Sequence, residues 1–366
     1  VKTEKRIVVW LMVAAILALG FSAGPAMAKV YPRFYRGVRP LGMGDAFTAV
    51  VDDENALFYN PAGLSKIDAL TFGVVNPLVE ASTKSIDLAY DADDTDTDDT
   101  AEVVALMRDY LGEHQHLRGA LFPHVGFNVA GYGVMVGVLA QATLDAEIRN
   151  PTWPEAEVDY IYDRGLIAGV GGRIPFLDLR LGATLKYINR SSLNETYTAT
   201  DIADDDFEDN FEDDQKDGSA VAADLGLIYT LPWIEWAQAD VGFTIQHLPE
   251  MGFGDAMNQE TQANLGIAVK KGFGGFNVVT ALDYVDLTHT IGEDRDFAKR
   301  LHMGVELELP LILSLRMGLN QGYFSYGLSA DLWALKLDFA AYSEEAGAYA
   351  GQREDRRYVG QVTLGW

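Results

Sequence analysis

Gly20-Phe21-Ser22-Ala23-Gly24 matches the Gly-x-Ser-x-Gly pattern that presents a nucleophilic serine on a tight turn. It sits inside an apolar N-terminal run, so it reads as part of an export signal and not as an active site. His114 and His116 are two candidate metal ligands one residue apart. A metal site needs further ligands, and alternate residues of a loop with no third partner read as solvated. His124, His247, His289 and His302 are scattered and fall in no Ser-His-carboxylate signature. No catalytic residue, cofactor or metal site is therefore assigned, and the chain does not read as an enzyme. The acidic runs Asp91–Asp99 and Asp201–Asp217 offer hard oxygen ligands, yet neither has the Gly-and-Glu pattern of a calcium loop. Like-charge runs of this kind read as extended, solvated loops, with divalent ions bridging them to lipopolysaccharide as one use.

The elements that position these residues begin with an export signal over residues 1–28. Lys2, Lys5 and Arg6 form a basic end, Ile7 to Leu19 an apolar middle, and Ala26-Met27-Ala28 a small-residue cleavage site. That apolar run is shorter than the ~20 residues of a spanning helix, and no later stretch is long enough either, which excludes a helical membrane protein. The formal charge is −26; residues 1–28 hold three basic and one acidic residue, so the remainder carries −28. Such a chain does not bind nucleic acid by neutralising phosphates. With 17 Tyr, 17 Phe, 6 Trp and 36 Gly it also lacks the composition of an acidic disordered protein. Acidic loops between aromatic, glycine-rich strands suit a membrane barrel.

From residue 117 onward, short alternating segments recur between turn signals. In the last of them Tyr358, Gly360, Val362, Leu364 and Trp366 share one face, for lipid, while Arg357, Gln361 and Thr363 face a lumen. The aromatic final residue resembles the terminal signature of outer-membrane barrels, which makes Tyr358, Val362, Leu364 and Trp366 the expected signal for the barrel-assembly machinery. Counting back gives thirteen strands to residue 118. Short and long connections alternate, Gln321-Gly322 excepted, and the short ones belong in the periplasm. Residues 68–90, broken at Asn76-Pro77, supply a fourteenth strand. A helix over Ala101–Glu113 is expected in the loop that follows, and Trp153, Trp233, Trp236 and Trp333 are expected in the aromatic girdles. The fold class is thus all-β, a transmembrane antiparallel barrel of about 14 strands over residues 67–366.

Residues 29–66 do not read as strand. Gly42, Gly44 and Gly63 permit close backbone approach, Asn60-Pro61 starts a turn, and Ala46–Val51 reads as a short helical stretch. A compact segment of small and aromatic residues suits the inside of a narrow barrel better than a linker does. The run Gly42-Met43-Gly44-Asp45-Ala46-Phe47-Thr48-Ala49-Val50, then Asp52-Asp53 and Ala56-Leu57-Phe58-Tyr59-Asn60-Pro61-Ala62-Gly63-Leu64, resembles the N-terminal plug motif of the FadL-like outer-membrane transport superfamily, including PorV/PorQ-type proteins. The resemblance covers residues 36–64. It implies a fourteen-stranded barrel occluded by a hatch, with the Asn60-Pro61-Ala62 turn in the lumen. Asp45 stands where relatives often carry a small residue, and Arg36 or Arg39 is the expected partner for its charge.

The resemblance implies passive uptake of hydrophobic small molecules, long-chain fatty acids or hydrocarbons, through a lumen lined partly by apolar side chains. Gly42, Gly44, Asp45, Phe58, Tyr59, Asn60, Pro61 and Gly63 are the expected hatch and gating residues. The alternative is a PorV-like scaffold for protein secretion or surface attachment, with the outer loops engaging a secretion-system partner. An apolar lumen favours transport; a polar, closed one favours the scaffold. Outer-membrane lipid and lipopolysaccharide are expected around the wall.

Overall fold

The computed structural model describes residues 33–365 apart from 94, 96–98, 205, 291–295 and 311. The expected export signal, the start of the plug segment and Trp366 lie outside the described residues. Fourteen antiparallel strands close into one barrel. β1 runs in two pieces, Leu70–Val75 and Leu78–Ser82, and β2 in two, His114–Leu121 and His124–Val129. There follow β3 Tyr132–Arg149, β4 Glu155–Ile174, β5 Leu179–Thr198, β6 Lys216–Thr230, β7 Gln238–Leu248, β8 Gln262–Phe273 and β9 Phe276–Tyr284. The last five are β10 Leu301–Glu308, β11 Leu313–Asn320, β12 Tyr323–Asp331, β13 Leu335–Glu345 and β14 Glu354–Gly365. β14 pairs with both pieces of β1 and closes the ring.

The strands invert the pattern of a soluble sheet. On β3, Val134, Val136 and Val138 point out and are exposed while Met135 and Leu139 are buried. On β5, β6 and β11 the inward positions include Lys186, Asp224 and Arg316, all buried, against outward Leu185, Leu225 and Met317. An apolar exterior with polar side chains inside is what a lipid-spanning barrel requires. The apolar band ends at a polar row, Arg164 paired with Asn189 and Asn189 with Ser219. Below that row β4 continues for ten residues, Gly165–Ile174, about what a tilted strand needs to cross a bilayer. Above it another ten, Glu155–Arg164, extend by roughly 33 Å along the strand. β10 to β12, at eight or nine residues each, have no such extension. The long-loop rim is therefore tall at β3–β5 and low at β10–β12.

The tall part is covered from outside by helices, and here several expectations need correction. The extended segment expected over 68–90, broken at Asn76-Pro77, is shorter than that: the strand stops at Ser82 and Thr83–Asp93 is helix α2. Ser82 Oγ accepts the Ser85 amide and turns the chain into the helix; the alternation of Ile86, Leu88 and Tyr90 imitates a strand. The loop helix spans Thr100–Asp109 (α3), capped by Asp99. Its Val103 and Met107 pack with Tyr110 on outward-facing Ile148 and Ala156. The run 201–217 is not an extended solvated loop: helices α4 (Ala199–Ile202) and α5 (Phe207–Asp213) form there, because Phe207 and Phe211, one turn apart, dock on Tyr197, and Phe211 also meets Tyr160. Trp153 sits in the loop at the tip of the tall rim, beyond the polar row, so it belongs to no girdle. Trp233, Trp236 and Trp333 lie in turns at the opposite end.

Candidate functional site

Residues 33–69 contain no strand and fill the lumen. The helix expected at Ala46–Val51 is absent; a short helix α1 stands at Val38–Gly42 instead. The amides of Phe47 and Thr48 donate to Asp283 Oδ2 of β9 at 2.8 and 2.7 Å, so a barrel carboxylate takes the place of helical carbonyls. Asn60 caps the 3₁₀ turn Pro61–Lys66: its Oδ1 accepts the Ala62 amide, and its Nδ2 donates to Thr48 O at 2.9 Å and to Leu227 O of β6 at 3.2 Å. One side chain thereby ties the segment to itself and to the wall. Gly44 has φ of 65°, and Gly42 lies so close to Gly327 of β12 that an added Cβ would stand 2.9 Å from its Cα. Gly63 faces the carbonyl of Val51, 2.7 Å from where a Cβ would be. These glycines give the close backbone approach read from the sequence, and the contacts identify what each of them approaches.

The wall is shaped to match. Gly171, Gly182 and Gly226 lie opposite one another on β4, β5 and β6, where a Cβ would run into the backbone of Pro61–Ser65 or the side chain of Asn60. Gly242 and Gly266, partners on β7 and β8, meet Thr48. Gly304 and Gly318, partners on β10 and β11, meet Met43 and Gly44. The barrel thus offers the plug a belt of glycines on β4 to β8 and β10 to β12. Sequence reading missed it; the signal available was a glycine recurring at lumen parity along successive strands.

Polar contacts hold the plug in this seat. Arg36 pairs with Glu344 of β13. Arg39 reaches Glu306 of β10 at 2.8 Å and the plug's own Asp52 and Asp53 at 2.6 and 2.8 Å. Neither arginine pairs with Asp45, contrary to expectation. Asp45 accepts the hydroxyl of Tyr59 and lies 3.8 Å from Arg33. Burial and the adjacent Asp45 carboxylate push the Tyr59 phenol well above its ordinary value, so it stays a donor. Phe47 stacks edge-on against Tyr59.

Two cavities flank the plug. One of about 280 Å³ lies at the long-loop end, between Arg33 and Phe34 of the plug and the inner face of the tall rim. The other, about 410 Å³, lies at the short-turn end, under Ser65 and Lys66. The wall lining is mixed, in keeping with the expectation of a partly apolar one: Lys186, Asp224, Glu306, Arg316 and Glu344 point inward beside Met135, Leu139, Ile167, Ile188 and Val359, and the apolar side chains join those of the plug in one cluster. Phe58 stacks against Tyr35 at 4.2 Å and meets Phe122 edge-on at 4.9 Å. That cluster backs onto a break in the wall. β1 is interrupted at Asn76-Pro77 and β2 at Phe122-Pro123, so their ladder lapses between Leu78↔Ala120 and Gly73↔His124. Asn76 fills the gap, its amide donating to Phe122 O at 2.6 Å and accepting the Phe122 N–H at 2.8 Å. The break in β1 was legible from its proline; the matching one in β2 was not anticipated.

His114 and His116 are not solvated loop residues. They lie on β2 facing inward, His116 Nδ1 2.7 Å from Asp145 and His114 Nδ1 3.0 Å from Asp355. On β14, Tyr358, Val362 and Leu364 face outward and Arg357, Val359 and Gln361 inward.

A closed antiparallel barrel with an apolar wall, a charged lumen and a folded N-terminal plug defines the class of plugged transmembrane β-barrels. Within that class the fold matches FadL-family outer-membrane channels over about 90% of the chain. The toluene transporter TodX of Pseudomonas putida superposes with a TM-score of 0.51 at 10% identity, covering 92% of this chain and 98% of that one. The toluene transporter TbuX of Ralstonia pickettii gives 0.53 at 10% identity, covering 90% and 98%. The monoaromatic hydrocarbon channel CymD gives 0.50 at 11%, covering 92% and 97%. At such identities the likeness is one of fold. No protein-family model and no curated protein matches the chain.

Proposed function

We propose that this protein is a hatch-gated outer-membrane channel for small molecules with an apolar body and a polar group, its short turns in the periplasm. The observation that carries the reading is the plug itself: residues 33–66 lie between the two cavities, Arg33, Phe34 and Arg36 lining one and Ala49, Val50, Asp52, Ser65 and Lys66 the other. Solved barrels of the same fold carry toluene or monoaromatic hydrocarbons by their names. The charged lining here favours cargo such as a fatty acid over a bare hydrocarbon, and the Tyr35, Phe58 and Phe122 cluster is where an apolar body would rest. Gly42, Gly44, Asp45, Phe58, Tyr59, Asn60, Pro61 and Gly63 are the residues proposed to gate. The signal over residues 1–28 and the barrel-assembly role of Tyr358, Val362 and Leu364 belong to the same reading.

Deleting residues 33–66 tests it. In planar bilayers the truncated barrel should conduct where the full chain is closed, and fatty-acid uptake into cells should lose its selectivity. Unchanged conductance and unchanged uptake of every fatty acid and hydrocarbon tried would sink the proposal. A second reading, a scaffold for protein secretion or surface attachment, is favoured by the helices α2 to α5 laid over the tall rim. Stable copurification with a protein partner, and no lipid in the lumen, would decide for it.

A further inference from the structure

The cavity of about 410 Å³ at the short-turn end has four basic side chains on its lining: Lys66 of the plug, Arg173 of β4, Arg180 of β5 and Lys270 of β8. Its carboxylates are Asp52 and Asp240. Most of this charge has a fixed partner. Asp52 is held by Arg39 at 2.6 Å, Arg173 reaches Asp178 at 3.3 Å, and Lys270 reaches Glu308 at 3.2 Å. Asp240 accepts from Thr230 Oγ1 at 2.7 Å and from Gln238 Nε2 at 2.9 Å, with Lys66 Nζ 3.6 Å away. Arg180 is the group left over. It is half-buried, and its Nη1 donates to the neutral Thr230 Oγ1 at 2.9 Å. Among the described residues no carboxylate stands within 4 Å of its guanidinium.

The strand register supplies a second, independent observation. Arg173 and Arg180 are direct partners across the β4–β5 ladder, and like charges placed opposite each other destabilise a strand pair. Asp178, in the turn between the two strands, meets only Arg173. The pair is thus short of one negative charge, which an anionic ligand in the cavity supplies. The remaining lining adds apolar surface, Ala49 and Val50 from the plug and Ala268 and Val279 from the wall. A hydrated inorganic ion gains nothing from these side chains, whereas a hydrocarbon chain does. The volume falls within the ~300–1,000 Å³ of ligand pockets.

We propose that this cavity binds a medium-chain monocarboxylate: its carboxylate on the edge of Arg180 that Thr230 leaves free, with Lys66 and Arg173 adding to the positive field, and its chain over the apolar lining. The site deepens the channel reading and rests on it for its place in transport, as the last station of an acid that has passed the plug. Because Lys66 belongs to the plug and Arg180 to the wall, the bound carboxylate lies where the two meet.

The test is calorimetric titration of the full chain in detergent micelles with octanoate, comparing the parent with Arg180→Gln. Partition into the micelle is common to both proteins, so the difference between them reads the site. Arg180→Gln should weaken octanoate about tenfold, ~1.4 kcal/mol, with the melting temperature kept or raised because a like-charge contact is gone. Lys66→Gln, which should weaken it several-fold, is the second variant if the first misfolds. 1-Octanol, which lacks the charge, should bind parent and variant alike, and inorganic phosphate, which lacks the chain, should not displace octanoate at equal concentration. Equal octanoate affinity in parent and variants, or displacement by an equal concentration of phosphate, overturns the site. Conductance of the barrel lacking residues 33–66 separates the two readings: conduction without octanoate binding to the full chain removes the site alone, and octanoate binding without conduction removes the channel alone.

Discussion

Substituting Gly242→Ala should loosen the hatch without touching its sequence. A Cβ at Gly242 would stand 2.6 Å from Thr48 O and 2.9 Å from Ala49 Cα, both backbone atoms of the plug. Carbon atoms in contact rest about 3.5–4.0 Å apart, so Ala49 must retreat by roughly 0.6–1.1 Å. That movement pulls on the Phe47 and Thr48 amides held by Asp283. Overpacking of this kind costs ~1–3 kcal/mol, and the strand preference of alanine over glycine cancels because β7 is folded with the plug docked or released. That cost corresponds to a shift of about five- to 160-fold in the docking equilibrium. Hydrogen exchange at Phe47 and Thr48 should quicken by that factor, and openings in planar bilayers should become more frequent. Gly119→Ala is the control, since a Cβ there meets nothing within 4 Å. Should Gly242→Ala exchange and conduct like the parent, the plug does not rest on the glycine belt as described.

Gly171→Ala, where a Cβ would stand 2.7 Å from Pro61 O, should loosen the other flank, with faster exchange confined to residues 62–65. Arg39→Met strands Asp52 and Asp53 and leaves Glu306 to Arg316 alone, which sits 2.9 Å away; breaking such a pair costs up to ~3–5 kcal/mol, and the surviving arginine should hold the loss toward the lower figure in detergent melts. Asn76→Ala leaves the Phe122 amide and carbonyl unsatisfied within the wall, a cost of ~1–3 kcal/mol per buried group, read out as faster exchange at Phe122 with little change elsewhere. Phe207→Ser with Phe211→Ser removes the aromatic anchor of α5 on Tyr160 and Tyr197, and limited proteolysis should then cut within residues 199–215 while the barrel stays intact.

The barrel was legible because its signals are local. Alternation along β3 to β14, the Asn76-Pro77 break and the pairing of short turns with long loops each need only a few neighbouring residues, and they led to fourteen strands. Misreadings arose where contacts distant in sequence override local pattern. Ile86, Leu88 and Tyr90 alternate like a strand yet belong to a helix, which Ser82 and Ser85 start. The acidic run at 201–217 looks extended until Phe207 and Phe211 find aromatic partners on the outer wall. Asp283, which replaces the helix expected at Ala46–Val51, lies 235 residues from Thr48, and no local pattern points to it. The plug motif could be recognised, but what it touches, and hence why its glycines are there, depends on strands throughout the chain.

The plug is held by buried charge, and that choice bears on gating. Each large apolar side chain that the plug buries, among them Leu41, Phe47, Leu57 and Leu64, contributes about 1.5–3 kcal/mol to its seating. A buried ion pair behaves differently, since the desolvation of both partners offsets most of their attraction. Arg36 with Glu344 and Arg39 with Glu306 therefore fix where the plug sits more than how firmly. Water entering from either cavity can solvate these groups as they part, while the fully buried Leu41, Phe47, Leu57 and Leu64 of the plug set the apolar cost of leaving. A glycine belt that sets position by shape and ion pairs that set it by direction give a plug that is well placed yet able to leave, the combination a gate needs and a permanent stopper does not.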